Sequence, residues 1–187
     1  MAEAAVFLTD GFEEIEGLAV LDILRRAQVE VVSVSVTGKI HVVGAHDITV
    51  KADCLYDEFM SFYHGRMMLV LPGGPGTASY KSHEGLLALL SDHHKSNGNI
   101  AAICAAPTVL GELGILDGKT AVCHHTVEAK LRCGRLGVND VERDGNILTS
   151  KAAGTAVSFG LAVLTMIKGK AITETVAKGI GVLLSAD

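Results

Sequence analysis

The sequence predicts a doubly wound α/β fold of the flavodoxin-like type, a mostly parallel sheet held between two helix layers. Three observations carry that prediction. Short apolar runs rich in β-branched residues alternate with stretches of helical spacing, which implies parallel strands joined by right-handed crossovers. Several of the runs stop at glycine-containing turns, at Asp10-Gly11, Thr37-Gly38 and Pro72-Gly73-Gly74. The 187 residues, 49% hydrophobic and 20% charged, suffice for a sheet covered on both faces.

Each element follows in order. Ala4 to Leu8 reads as the first strand. Ile15, Leu18, Ala19, Leu21 and Leu24 then recur at helical intervals as far as Arg26. Val29 to Val36 is a second, β-branched strand. Ile40 to Val43 with Ile48 to Val50 forms a small antiparallel excursion. Met67 to Leu71 is a buried strand, and Leu86, Leu87, Leu89 and Leu90 lie on a helix running to about Asn97. Ile100 to Ile103 is another buried strand, with a helix from Pro107 to Leu113. Ile147 to Ser150 is a late strand, followed by a helix over Thr155 to Ile167. No linker-like tract or internal repeat interrupts the pattern, so one domain over residues 1–187 is expected.

Composition excludes several classes. The formal charge is −5, lysine and arginine are scattered, and aromatic residues are 4% with no tryptophan, which argues against a nucleic-acid partner. The longest apolar stretch, around Ile100 to Leu110, contains Pro107 and is too short for a membrane span. The beginning of the chain, with Glu3, Asp10 and Gly11, does not resemble a secretory signal, so a cytoplasmic location is expected. Cys54, Cys104, Cys123 and Cys133 form no CxxC pair and read as reduced thiols. Cys123-His124-His125 and His93-His94 lack metal-ligand spacing, and no metal or other cofactor is expected.

The chemistry concentrates at Ile100-Ala101-Ala102-Ile103-Cys104-Ala105-Ala106-Pro107. An apolar strand runs into Cys104, a helix begins within three residues, and Pro107 suits its first turn. Ala102 and Ala106, two residues either side of the cysteine, are small, as the sharp turn of a nucleophile elbow requires. A thiol at a helix mouth faces free backbone N–H groups, which favour thiolate and predict a lowered pKa. The alternative at this point is a structural cysteine in an alanine-rich strand. Two further segments favour the reactive reading. Gly73 and Gly74 leave backbone N–H groups able to approach an oxyanion. Among Glu13, Glu14 and Glu16, the first two are explained by the helix dipole. Glu16 is spaced to look across the strand ends; a carboxyl meeting Cys104 is expected to be protonated and to donate to the sulfur.

These segments together resemble the ThiJ/PfpI superfamily, specifically its DJ-one branch. The resemblance rests on G-x-E-E-x-E after the first strand, LPGG after the middle one, AAIC-A-x-P at the elbow, and Leu148-Thr149-Ser150 leading to Gly154-Thr155. It implies that Cys104 is the nucleophile and oxidation-sensitive cysteine and that Glu16 is its acid partner. It implies that Gly73, Gly74 and the N–H of Ala105 bind an oxyanion, and that His124 lies near the sulfur. It further implies a cytosolic homodimer whose loop at Ala153 and Gly154 reaches the partner's site. The implied activities are a glyoxalase turning methylglyoxal into lactate without glutathione, a deglycase acting on glycation adducts, and a redox-responsive chaperone or oxidative-stress sensor. Bacterial relatives also carry a thiazole-monophosphate biosynthesis label. The substrate class is therefore a small aldehyde or glycated adduct.

Some positions depart from that pattern. Ala153 stands where close relatives have proline, and His46 replaces an arginine of an anion pocket. Pro75 follows the glycine pair, and either His124 or His125 can face the sulfur. The peptidase or amidase branch places histidine directly after the nucleophile, whereas Ala105 follows here, so proteolysis is the least favoured activity.

Overall fold

The computed structural model describes residues 2–182. Along the chain run β1 (Ala4–Leu8), α1 (Glu14–Arg26), β2 (Val31–Ser35), β3 (His41–Val43), β4 (Thr49–Lys51), β5 (Cys54–Leu55) and α2 (Tyr56–Phe62). They are followed by β6 (Met68–Leu71), α3 (Thr77–Ser82), α4 (Glu84–Lys95), β7 (Ile100–Ile103), α5 (Pro107–Glu112), β8 (Thr120–Ala121) and β9 (Arg135–Leu136). The described residues end with β10 (Val141–Asp144), β11 (Ile147–Ser150), α6 (Ala156–Lys168) and α7 (Lys170–Gly179), and short 3-10 segments span His125–Lys130 and Ala153–Thr155.

Seven strands form one sheet in the order β10-β11-β7-β6-β1-β2-β5. All neighbours pair parallel except β10 and β11. The chain builds outward from β1 through β2 to β5, then returns to the other side of β1 with β6 and β7. The winding direction therefore reverses between β1 and β6, where an open α/β sheet leaves a crevice at its carboxyl edge.

The central strands are buried on both faces, which is why β1, β6 and β7 read as unbroken apolar runs. Ala4, Val6 and Leu8 of β1 belong to the core beneath α1 and α6. The intervening Ala5 and Phe7 join Phe59, Tyr80, Leu86 and Leu110 in the core under α2 to α5. Side chains of successive strand residues point to opposite faces, so a five-residue strand feeds both cores. Helix α1 places Glu14 and Glu16 in its first turn and Arg25 and Arg26 in its last, matching the helix dipole at each end.

The predicted excursion is the β3–β4 hairpin. The sequence pattern does not reveal β5, α2, α3, β8, β9, β10 or α7. Strands β5, β8 and β9 have two residues each, too few to show a period of two. No helix among the described residues is long and apolar enough to cross a membrane.

Candidate active site

Cys104 sits between the end of β7 and the start of α5 with φ at +65°, a left-handed conformation that costs a non-glycine residue energy and is stored by its surroundings. Hydrogen bonds hold it from both sides. Its N–H donates to the Ser150 carbonyl at 2.9 Å, and its own carbonyl accepts from the His124 N–H at 2.8 Å. Ala102 and Ala106 are fully buried, as an elbow of this sharpness needs.

The loop after β6 closes on this elbow. A Cβ on Gly73 would lie 2.6 Å from the Cys104 Cβ and 2.8 Å from the Ile103 carbonyl oxygen, so only glycine fits. Gly74 has φ at +94°. Its N–H, with that of Ala105, hydrogen-bonds the sulfur and favours its anionic form. The third predicted oxyanion donor is corrected: the Gly73 N–H is spent on Glu16, donating to Oε2 at 2.7 Å. The Gly73 peptide is turned because its carbonyl accepts from the Glu13 N–H at 3.0 Å, which ties the loop to the start of α1.

Glu16 is fully buried. Its second oxygen, Oε1, has no conventional hydrogen-bond donor, and the carboxyl interacts with the Cys104 thiol instead. Burial pushes Glu16 up to about 7; the Gly73 N–H and the thiol oppose that rise, and the charge of Glu13 adds to it. Cys104 is pushed up to about 12, by burial first and by the Glu16 charge second, while the Gly74 and Ala105 amides pull the other way. The expected lowering of the thiol is thereby overturned: the two amides act in the predicted direction, but burial and a carboxylate at close range outweigh them. What the geometry supplies is a pair that shares one proton. With the proton on Glu16, the charge opposing ionisation disappears and the sulfur carries the anion between two amides and an acidic O–H.

His124 reaches Cys104 through its backbone. Its ring Nδ1 meets Thr126 Oγ1 at 2.8 Å and its face lies 4.2 Å from the His125 ring, so that nitrogen is committed to the turn it caps. Ala153 and Gly154 occupy the 3-10 segment just after Ser150, the residue that clamps Cys104, and Gly154 is exposed. Glu14, which the sequence assigned to the helix dipole alone, is buried and holds His46. Its Oε1 accepts from the His46 N–H at 2.7 Å and its Oε2 lies 2.8 Å from Nδ1. Burial works against the Glu14 charge, yet the His46 ring and amide keep its carboxyl below the ordinary range. Glu13, Glu14 and His46 bring their ligand atoms within 4.8 Å of one another, and the arrangement is that of an ion pair. Neither the Glu13 amide contact nor the Glu14–His46 pair has a sequence signal, since His46 lies in a loop 32 positions from Glu14.

A cysteine elbow, a double-glycine loop and a buried glutamate at the carboxyl edge are matched along the chain by one family model. The model of the DJ-1/PfpI family matches residues 2–166. The chain belongs to the DJ-1/PfpI family. The protein dj-1beta of Drosophila melanogaster is 34% identical over 180 residues, covering 95% of each chain. The crystal structure of Drosophila melanogaster DJ-1beta superposes with a TM-score of 0.92 at 32% identity, over 98% of this chain and 100% of that one. A Caenorhabditis elegans relative named glutathione-independent glyoxalase DJR-1.2 is 35% identical over 113 residues, 59% of this chain and 60% of its own. The DJ-1/PfpI fold is thus the architecture that places Cys104 at the crevice.

Proposed function

We propose that this protein is a cofactor-free, cysteine-dependent glyoxalase or deglycase acting on methylglyoxal or on early glycation adducts. The observation that carries the reading is the fully buried Glu16 carboxyl set against the Cys104 thiol, with the Gly74 and Ala105 N–H groups aimed at the same sulfur. A relative named as a glutathione-independent glyoxalase adds support.

In this reading the Cys104 sulfur bonds to the aldehyde carbon of methylglyoxal and the C=O electron pair moves onto oxygen, beside the two amides. Glu16 delivers its proton to that oxygen, giving a hemithioacetal. The ionised Glu16 then removes the hydrogen of the former aldehyde carbon as a proton and returns it to the neighbouring carbon, while the hemithioacetal O–H proton passes to the ketone oxygen. The first carbon is oxidised to a thioester and the ketone is reduced to an alcohol, so no external oxidant enters. Water cleaves the thioester, releasing lactate and restoring the thiol. The chain acts as one domain over 1–187, in the cytoplasm, as a homodimer in which Ala153 and Gly154 approach the partner. His124 caps the adjoining turn and reaches the reaction only through the Cys104 backbone. Methylglyoxal consumption should vanish in Cys104→Ser and fall at least about 100-fold in Glu16→Ala. Full activity in Cys104→Ser sinks the reading.

A second role uses the same atoms. Two peroxide molecules, each leaving one oxygen on sulfur and departing as water, convert Cys104 to sulfinate. Its position, half-buried rather than sealed, favours this, and the Glu16 proton would stabilise the product. Intact-mass and peptide mapping after peroxide should place two added oxygens on Cys104. Oxidation confined to another thiol counts against a sensor role.

A further inference from the structure

Between α2 and α4, outside the cysteine site, lies a cleft of about 490 Å³, within the range of small-ligand sites. Tyr56, Met60 and Tyr63 line one wall, and Ala88, Leu89 and Asp92 the other. The aromatic walls are set in advance. The Tyr63 hydroxyl lies 2.6 Å from Nδ1 of His93, a buried residue whose Nε2 faces the Asn99 carbonyl at 3.2 Å. Nε2 must carry the ring hydrogen to meet a carbonyl, so Nδ1 accepts and the Tyr63 hydroxyl donates. The Tyr56 ring rests edge-on against His83 at 4.6 Å, and His83 is itself fixed by accepting the Leu86 N–H at 3.0 Å. A ligand entering this cleft has little wall left to order.

The wall also has a definite charge character. Tyr56 and Tyr63 line the cleft, Met60 and Leu89 offer apolar surface, and the acidic side chain in the lining is Asp92. Lys95 meets Asp92 at 3.0 Å, but both side chains are about three-quarters exposed, at 73% and 75%, and such a pair opens readily. Electron-rich ring faces beside a carboxylate attract cations. We propose that this cleft is a binding site for a small organic cation, its ammonium head on the tyrosine faces beside Asp92 and its alkyl part against Met60 and Leu89.

The test compares choline with its uncharged isostere 3,3-dimethylbutan-1-ol on the unaltered protein, by NMR of the tyrosine ring protons. Tyr80, fully buried with its hydroxyl on the Phe7 carbonyl, is an internal control. Choline should shift the Tyr56 and Tyr63 signals saturably, leave Tyr80 in place, and bind at least about fivefold tighter than the isostere. Asp92→Asn should weaken choline about twofold to fivefold, and Lys95→Ala, which frees the carboxylate, should tighten it about twofold. Ala88→Phe, which fills the cleft, should abolish the shifts. Equal binding of the two probes, no shift with either, or shifts that survive Ala88→Phe would overturn the proposal.

Discussion

One methyl group added to Gly73 would press on the Cys104 Cβ from 2.6 Å and on the Ile103 carbonyl oxygen from 2.8 Å. Neither neighbour is the free end of a flexible side chain, so the loop or the elbow must shift. Gly73→Ala should therefore cost about 1–3 kcal/mol in urea unfolding. It should also slow Cys104 alkylation, because moving the loop turns the Gly74 N–H away from the sulfur. A variant as stable as the parent would show that the loop does not press on the elbow. The shared proton yields a sharper expectation. Where Glu16 and Cys104 together have lost one proton, the share of thiolate no longer changes with pH. Iodoacetamide labelling of Cys104 should rise with pH to about 7, where Glu16 titrates, and then stay nearly flat through pH 9. In Glu16→Gln no charge opposes the thiol, so labelling should follow one continuous rise over that range and exceed the parent rate at pH 9. A continuous rise in the parent as well would dissolve the pair. The acid–thiol partnership was legible from the spacing of Glu16 and the small neighbours of Cys104. The height of the thiol pKa was not, because burial at that atom is made by three segments that meet only in the folded chain.

At the scale of elements, α1 turns one face to α6 and leaves Ile15 and Leu18 on the other, 57% and 37% exposed. The β3–β4 hairpin is pinned beside the start of that helix. Gly11 N–H donates to the Val43 carbonyl at 2.7 Å, Ala45 N–H to the Phe12 carbonyl at 2.8 Å, and Val43 N–H to Asp10 Oδ1 at 2.9 Å. Val43 and Ile48 of the hairpin and Val157 at the start of α6 are exposed as well. Apolar side chains from elements packed together and left to solvent are what a protein contact surface requires, and this surface supports the proposed homodimer. Leu18→Asp puts a charge at the centre of that face. Sedimentation velocity should show the parent as a dimer and the variant shifted to monomer, with unchanged helix content by circular dichroism. A parent that sediments as a monomer would remove the dimer and, with it, the partner-side role of Ala153 and Gly154. The hairpin was legible because Ile40 to Val43 and Ile48 to Val50 carry β-branched residues across a short turn. The β10 strand was not, since Val141-Glu142-Arg143-Asp144 has one apolar residue in four and owes its pairing to the preformed edge of β11.

For the whole molecule, a buried acid held near pKa 7 makes stability depend on pH. Unfolded, Glu16 titrates near 4.5; folded, near 7. Between those values the native state binds more protons than the unfolded chain, so stability falls as pH rises through this window and levels off above it. Fully developed, the loss is about 3 kcal/mol. His46 works in the same direction. Its hydrogen bond to Glu14 and the charges of Glu13 and Glu14 raise its pKa, so its contribution is complete below its unfolded pKa and fades as pH rises through the folded one. Glu14, held low by His46, does the opposite on the acid side, losing its contribution as pH falls through its folded value. A single pH–stability curve mixes these terms, whereas the difference between the parent and Glu16→Gln isolates one of them. Glutamine keeps the acceptor for the Gly73 N–H and never ionises. Urea unfolding of both proteins should show Glu16→Gln gaining on the parent between pH 4.5 and 7 and remaining ahead at pH 8 by about 3 kcal/mol more than at pH 4. A difference that does not change with pH would mean that the carboxyl ionises in the fold as freely as in water, and the proton assigned to Glu16 in the reaction would have no source.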